Sequence, residues 1–169
     1  MKKVLLVIDM QNDYLDDGRK KQFTYDTPGI VTAVNKIIEE RRNQCDIVYI
    51  RHIIQNIWTN RVLFGYSIAG TYGAQLYKKL EKVSENSFDK LLPDAFSSKQ
   101  FRKFIQDNGY DTAEICGIDE CGCVCATAWG ALKHGLKTEI IKSGVATKFP
   151  ESKINKVHKM LTKAGAVYK

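Results

Sequence analysis

The sequence predicts an α/β protein, a three-layer α/β/α domain built around a six-stranded, mainly parallel, doubly wound sheet. The main observation is that short apolar runs typical of buried strands alternate with helical patterns along the whole chain. The second is that no repeat or linker divides the 169 residues, so we predict one domain over residues 1–169. An apolar content of 44% and a charged content of 27% are typical of a globular protein.

The first two predicted strands flank an amphipathic helix. Residues 4–8 are continuously apolar and end at Asp9, which is typical of a strand buried in a parallel sheet. A polar and aromatic loop follows. Thr27 before Pro28 predicts an N-cap with proline at the first helical position, and residues 46–50 form the second apolar run.

The middle of the chain has weaker patterns. Residues 52–73 are irregular and rich in aromatic side chains. Residues 74–80 predict a short helix and residues 86–88 a brief third strand, after which Ser97 or Ser98 caps a further helix.

The last third of the chain repeats the alternation of strand and helix. Gly109 ends the helix that the serine caps. The elements that follow are a strand over 112–118, a helix over 123–134, a strand over 137–141, a helix over 150–165 and a strand over 166–168.

Asp9 and Cys123 are predicted at one edge of this sheet. In doubly wound sheets ligands bind beyond the carboxyl ends of the strands, where the strand order reverses. With the common order 3-2-1-4-5-6, the first and fourth strands flank that crevice. Asp9 ends the first strand and Cys123 follows the fourth, so the topology brings a carboxylate and a thiol together.

Four of the five cysteines fall within ten residues: Cys116, Cys121, Cys123 and Cys125. A thiol at the start of a helix faces unpaired N–H groups and the positive end of the helix dipole, which we expect to lower its pKa and make it a nucleophile. The alternatives are metal binding, a disulfide, core packing or, for Cys121, a resolving thiol that protects Cys123 on oxidation. The C-x-C-x-C spacing lacks the C-x-x-C pairs of zinc sites, and an odd cysteine count argues against a disulfide framework.

A cysteine hydrolase needs a thiolate, a group that moves a proton, and donors for an oxyanion. Cys123 supplies the thiol, and its own N–H can contribute to the oxyanion donors. Asp9 can take the thiol proton and deliver it to a leaving amine. A nearby lysine would keep that carboxylate ionised, although spacing alone does not select the lysine.

Four segments resemble the isochorismatase-like cysteine hydrolases, a family that includes nicotinamidases and related amidohydrolases. The segments are VIDMQNDY at 7–14, GTYGAQL at 70–76, KLLPDAF at 90–96 and GIDECGCVCATA at 117–128. They occur in the family's order and cover essentially the whole chain.

The resemblance implies a catalytic triad of Asp9 as general base, Lys90 as catalytic lysine and Cys123 as nucleophile. It also implies a cis peptide bond between Ile118 and Asp119, and an oxyanion hole formed by the backbone N–H groups of Asp119 and Cys123. The implied reaction hydrolyses an amide or carbamoyl C–N bond of a small amide or ureido substrate through a thioester. We predict no cofactor. Members of the family commonly form oligomers, so the resemblance also implies a homodimer or homotetramer.

Two departures from the family pattern concern the site. Nicotinamidases bind a metal through Asp-x-His and a later histidine, whereas here His52 stands alone and the next histidine is His134. We therefore predict no metal and a metal-independent enzyme. Glu120 replaces the usual threonine, and Asp119 is an unusual neighbour of the oxyanion hole. These carboxylates leave open a catalytically silent binding protein on the same fold, and the cysteines leave open a thiol redox protein.

Aromatic and histidine side chains in the loops are candidates for contact with the substrate. We predict this role for Tyr14, His52, Trp58 and Tyr66.

The net charge of +7 does not predict binding to nucleic acid, because the basic residues are scattered and match no recognition module. No stretch approaches the length of a membrane span, and the start of the sequence is too short and too charged for a signal peptide. We therefore expect a cytoplasmic protein with no membrane contact.

Overall fold

The computed structural model describes residues 2–169, which form a six-stranded sheet covered by helices. The strands are β1 (Lys3–Ile8), β2 (Asp46–His52), β3 (Ser87–Lys90), β4 (Thr112–Ile118), β5 (Lys137–Ala146) and β6 (Val167–Tyr168). The helices are α1 (Asn12–Leu15), α2 (Thr27–Arg41), α3 (Trp58–Leu63), α4 (Lys99–Asn108), α5 (Cys125–Lys133) and α6 (Glu151–Lys163).

β1 lies in the middle of the sheet. The strand order is β3-β2-β1-β4-β5-β6 and the pairings are parallel. Ile8 therefore lies beside Ile50 of β2 and Gly117 of β4. The predicted fold class and strand order are confirmed, and the order reverses between β1 and β4.

Separate hydrophobic clusters fill the two faces of the sheet. Successive side chains of a strand point to opposite faces. Leu6 and Ile8 of β1 accordingly join the cluster under α4, α5 and α6, whereas Leu5 and Val7 join the cluster under α2. Both faces are covered, which explains why β1 is apolar at every position rather than at alternate ones.

The observed ends of α2 and α4 can be compared with the capping residues predicted from the sequence. The N-cap of α2 is Asp26, whose side chain accepts from the Gly29 N–H at 3.3 Å. The prediction of Thr27 as N-cap is therefore wrong by one residue. Ser98 occupies the N-cap position of α4, and Gly109 ends that helix with a φ of 63°, as predicted.

Residues 74–80 form turns and an isolated bridge, so the helix predicted there is wrong. The backbone of this segment bonds to the loop after β1. The Asn12 N–H donates to the Gln75 carbonyl at 3.0 Å, and the Tyr77 N–H donates to the Met10 carbonyl at 2.8 Å. Because these groups pair across loops, they are not available for a helical ladder.

Other boundaries differ from the prediction for identifiable reasons. β5 runs to Ala146 because it pairs with β4 again beyond an irregularity in register. The helix predicted to begin at Cys123 begins at Cys125, because a π-type turn over Glu120–Val124 precedes it. The short helices α1 and α3 form within segments predicted as loops.

Within residues 2–169 no helix is long and apolar enough to cross a bilayer. Such a span needs about 20 mainly apolar residues, whereas α2 has 15 residues.

Candidate active site

Asp9 follows β1 at the point where the strand order reverses. Its φ of 52° lies in the left-handed region, which is unusual for a residue other than glycine. Its N–H donates to the Ile50 carbonyl at 2.9 Å, which fixes the turn at the end of the strand. The side chain is buried. A buried carboxylate on an uncommon backbone conformation is typical of a functional site.

Lys90 is the last residue of β3 and is only 2% exposed. Its Nζ donates to Oδ2 of Asp9 at 2.8 Å. Burial acts to lower the pKa of Lys90, but Asp9 and Cys123 together outweigh burial, and the pKa is raised. Lys90 therefore stays protonated as a buried cation that faces a carboxylate.

A turn after β4 brings Cys123 to the same edge. Gly117 has a φ of 111°, and a Cβ on it would lie 2.1 Å from the Ile8 carbonyl oxygen, so only glycine fits beside β1. The next peptide bond, between Ile118 and Asp119, is cis, as predicted. We name residues 119–124 the cysteine turn.

The Cys123 thiol interacts with both members of the Asp9–Lys90 pair. Burial and then the Asp9 carboxylate raise the pKa of Cys123, and Lys90 only partly opposes them. The expectation of a lowered thiol pKa is therefore wrong, because burial outweighs the favourable charges. The Cys123 thiol therefore keeps its proton at neutral pH.

Oδ1 of Asp9 is the acceptor that the ion pair with Lys90 leaves open. This oxygen is buried and has no hydrogen-bond partner within residues 2–169. Buried polar atoms are normally paired, and an unpaired one is costly to maintain. The other carboxylate oxygen is held by Lys90, and the Cys123 thiol interacts with this carboxylate.

The side chain of Asp119 organises the cysteine turn from outside the cluster of Asp9, Lys90 and Cys123. Its Oδ1 accepts from the Cys121 N–H at 2.9 Å and from the Thr147 hydroxyl at 2.7 Å. Its Oδ2 accepts from the Tyr25 hydroxyl at 3.1 Å and from the Lys148 N–H at 3.0 Å. One carboxylate thus ties the turn to the loop before α2 and to the β5–α6 connection.

A cavity of about 200 Å³ opens directly above Cys123. Its walls are mainly aromatic, and its lining residues are Asp9, Tyr14, Phe23, Tyr25, His52, Tyr66, Ile118, Asp119, Gly122, Cys123, Lys148 and Phe149. Three of the four side chains predicted to contact substrate line it. Trp58 does not, because it lies on α3 with 76% of its surface exposed.

His52 is committed to hydrogen bonds through both ring nitrogens. Nε2 lies 3.0 Å from the Leu91 carbonyl, which only accepts, so Nε2 carries the proton. Nδ1 then accepts from the Tyr14 hydroxyl at 3.0 Å. Burial, and next the charge on Lys90, lower the pKa of His52, which favours this neutral form.

These contacts do not fit the metal site of the family's nicotinamidases. A metal ligand needs a free nitrogen lone pair, and His52 has none in this arrangement. No group of three His, Cys, Asp or Glu side chains within the described part of the chain is placed to hold a metal ion.

The other residues singled out near the nucleophile have structural surroundings. Cys121 and Cys125 are buried in the core cluster under α6. Glu120 is buried and accepts from His158 at 2.6 Å, so it points toward α6 and does not line the cavity. Cys116 is fully buried, as core packing predicts.

Several residues of the cavity wall were not predicted. Phe23, Tyr25, Lys148 and Phe149 come from the loop before α2 and from the β5–α6 connection. The aromatic composition of the first loop was the only available signal for two of them. Gln11 was also missed: it is fully buried, and its side chain joins the backbone of His52 to the loop at Ala74.

Residues 3–168 match the model of the isochorismatase domain, so the chain belongs to the isochorismatase family. The uncharacterized isochorismatase family protein YddQ of Bacillus subtilis is 24% identical over 148 residues, which cover 87% of this chain and 79% of that protein. A probable inactive nicotinamidase of Arabidopsis thaliana is 29% identical over 146 residues, which cover 76% of this chain and 71% of that protein.

Solved structures share the fold over the whole chain. An isochorismatase-like hydrolase from Alkaliphilus metalliredigens superposes with a TM-score of 0.86 at 25% identity, covering 100% of this chain and 95% of that one. The N-carbamoylsarcosine amidase from Thermoplasma acidophilum superposes with a TM-score of 0.81 at 22% identity, covering 100% of this chain and 96% of that one. The architecture is therefore that of the isochorismatase-like hydrolases.

Proposed function

We propose that this protein is a metal-independent cysteine amidohydrolase that cleaves an amide or carbamoyl C–N bond of a small molecule. The observation that carries the proposal is the buried ion pair between Lys90 and Asp9, which leaves one carboxylate oxygen without a hydrogen-bond partner and which interacts with the Cys123 thiol. A structural ion pair has no need of a free acceptor next to a thiol, whereas acyl transfer to sulfur requires one.

In the first half of the proposed reaction, Asp9 takes the proton of the Cys123 thiol, and the thiolate attacks the substrate carbonyl carbon. Lys90 stabilises the negative charge on sulfur, which burial alone disfavours. The carbonyl electrons move to oxygen, where the backbone N–H groups of Asp119 and Cys123 are the proposed donors. Asp9 then gives its proton to the amine nitrogen, the C–N bond breaks, and a thioester remains.

In the second half, water enters the position that the amine has left. Asp9 takes a proton from this water as its oxygen attacks the thioester carbonyl. The tetrahedral intermediate collapses with cleavage of the C–S bond, and Asp9 returns the proton to sulfur. The carboxylic or carbamic acid product leaves, and the carbamic acid decomposes to carbon dioxide and amine.

The surroundings of the triad support this chemistry. The cavity above Cys123 is small and mainly aromatic, which suits a small planar amide and keeps bulk water away from the thioester. The fold is shared with an amidase of N-carbamoylsarcosine. His52 and Tyr14 lie in the wall and are the proposed contacts to substrate, together with Tyr66.

The relative that is named as a probable inactive nicotinamidase makes a silent binding protein the alternative. The intact contact of Cys123 with Asp9 and Lys90 favours the enzyme. The thiol redox alternative is less supported, because Cys121 and Cys125 lie in the core cluster and the charges acting on Cys123 come from Asp9 and Lys90.

The test is release of ammonia from a panel of primary amides, ureido acids and N-carbamoyl compounds. We expect turnover of at least one class by the wild type and its loss in Cys123→Ala. Cys45→Ala is the matched control, since Cys45 lies near the amino ends of the strands, and it should retain full activity. Absence of turnover across the panel, with ligand binding intact, would instead support the silent binding protein.

Three further expectations stay predictions. They are a single hydrolase domain, a cytoplasmic location, and a homodimer or homotetramer without nucleic-acid or membrane partners.

A further inference from the structure

Lys148 places a cation without a carboxylate partner at the mouth of the cavity. It lies in the β5–α6 connection, its side chain is exposed, and it lines the cavity above Cys123. Its Nζ lies 5.1 Å from the centre of the Phe23 ring and 5.8 Å from that of Phe149. No carboxylate within residues 2–169 is close enough to form an ion pair with it, unlike the buried Lys90.

Neither of the two carboxylates of the cavity forms an ion pair with Lys148. Asp9 is bound by Lys90 at 2.8 Å. Each oxygen of Asp119 accepts two hydrogen bonds, from Cys121 and Thr147 on one side and from Tyr25 and the Lys148 N–H on the other. Neither acid holds the Lys148 ammonium, which therefore remains available to an anion that enters the cavity.

The backbone of Lys148 is fixed relative to the cysteine turn. Its N–H and the Thr147 hydroxyl both donate to the Asp119 carboxylate, which also holds the N–H of Cys121. The Phe149 N–H donates to the Thr147 hydroxyl at 3.2 Å. The same carboxylate thus sets the geometry of the cysteine turn and of the backbone that carries Lys148.

The wall beside Lys148 strengthens its attraction for an anion. Phe23 and Tyr25 stack at 6.5 Å between ring centres, and Tyr66 packs edge-on against Phe23. Aromatic walls exclude water and lower the local dielectric constant, so an ion pair formed there is stronger than one in open solvent. A cation over an aromatic ring is also held in place by the ring electrons.

We propose that Lys148 binds a carboxylate of the substrate, and that the substrates are small anionic amides, namely amido acids or ureido acids. The scissile carbonyl lies at Cys123, and the carboxylate lies at the mouth of the cavity. The volume of about 200 Å³ permits only a short spacer between the two groups. This inference rests on the proposed amidohydrolase function and adds the charge of its substrate.

The test compares succinamate, which carries an amide and a carboxylate, with succinamide, a neutral diamide of nearly the same size. We expect the wild type to prefer succinamate by at least about tenfold in kcat/KM, the scale of one hydrogen-bonded charge. In Lys148→Gln the ratio should fall toward one, and in Lys148→Arg it should be largely retained. Lys156→Gln removes the same charge from the exposed side of α6 and should leave the wild-type ratio.

A preference for succinamate that is equal in the wild type and in Lys148→Gln would overturn the role of Lys148. Equal use of both compounds by the wild type would overturn the anionic substrate class while leaving amide hydrolysis intact. If neither compound is turned over, calorimetric titration of succinamate into Cys123→Ala, with and without Lys148→Gln, tests the subsite by itself. Binding weakened at least about tenfold by Lys148→Gln supports the subsite, and equal or absent binding overturns it.

Discussion

Two buried carboxylates near opposite ends of the sheet differ in how completely they are hydrogen-bonded. Glu114 of β4 lies toward the amino ends of the strands. Its Oε1 accepts from Lys3 at 2.9 Å and its Oε2 from Arg41 at 2.6 Å. Asp9 lies at the carboxyl ends, where Lys90 holds one oxygen and the other has no partner in the described chain.

Under the proposed function, this difference separates a structural ion network at Glu114 from a reactive one at Asp9. Both acids are buried and both face cations, so burial and charge pairing alone do not distinguish them. A carboxylate with both oxygens saturated is a poor proton acceptor, and it stabilises the fold instead. A carboxylate with a free oxygen beside a thiol can move a proton, at some cost to stability.

The largest expected effect is on activity at Asp9. Asp9→Asn keeps the shape of the side chain but removes the proton acceptor, so kcat/KM for an accepted amide should fall at least about 10³-fold. Glu114→Gln is the matched change at the other carboxylate and should leave kcat/KM within a few-fold. Steady-state ammonia release measures kcat/KM for both variants. Comparable losses of kcat/KM in Asp9→Asn and Glu114→Gln would show that the two carboxylates do not differ in function.

Lys90→Met should have the largest effect on stability. The substitution leaves Asp9 buried without its cation, and breaking a buried pair on one side typically costs about 3–5 kcal/mol. The double variant Asp9→Asn/Lys90→Met removes both charges and should recover most of the free energy of unfolding without recovering activity. Urea denaturation followed by circular dichroism measures this. Equal instability of the single and double variants would show that the ion pair is not the cause.

A smaller loss of stability is expected for Glu114→Gln. The amide has only one oxygen to accept the hydrogen bonds that Lys3 and Arg41 now donate to two, and both cations are partly exposed. We expect the free energy of unfolding at pH 7 to fall by about 1–3 kcal/mol. Arg42→Gln, which removes an exposed pair with Glu39, serves as the control and should change it by less than about 1 kcal/mol.

The effect of Glu114→Gln should itself depend on pH. Burial acts to raise the pKa of Glu114, but hydrogen bonds from Lys3 and Arg41 outweigh burial and lower it. A carboxyl with a lowered folded pKa contributes its full stability above the unfolded value, about 4.5, and loses it as pH falls. The stability gap between wild type and Glu114→Gln should therefore narrow below about pH 4.5. A gap that stays constant or widens on acidification would contradict this assignment.

The fold was predictable because its signals are local and repeated. The apolar runs at residues 4–8 and 46–50 predicted the positions of β1 and β2, and Gly109 predicted the end of α4. Residues 74–80 were mispredicted because their backbone pairs with Met10 and Asn12, more than 60 residues away, as for the Asn12–Gln75 bond. Helical patterning does not register such long-range pairing.

The candidate site was predictable in part for similar reasons. The predicted strand order alone was enough to place Asp9 and Cys123 together. Lys90 could be selected only through the resemblance to a family, because no sequence pattern distinguishes a buried lysine from an exposed one. The thiol pKa was mispredicted because burial depends on packing that the sequence does not display. Lys148 and the side-chain role of Asp119 were missed because both depend on contacts among three separated loops.

Trapping of the thioester decides whether an amide substrate acylates Cys123, as the proposal with Asp9 as base requires. Wild-type protein is mixed with an amide that it turns over, quenched in acid within milliseconds to seconds, and examined by intact and peptide mass spectrometry. We expect an adduct with the mass of the substrate less its amine, located on Cys123 and absent from Cys123→Ala. Undiminished turnover by Cys123→Ala, or an adduct located on another residue, would contradict it.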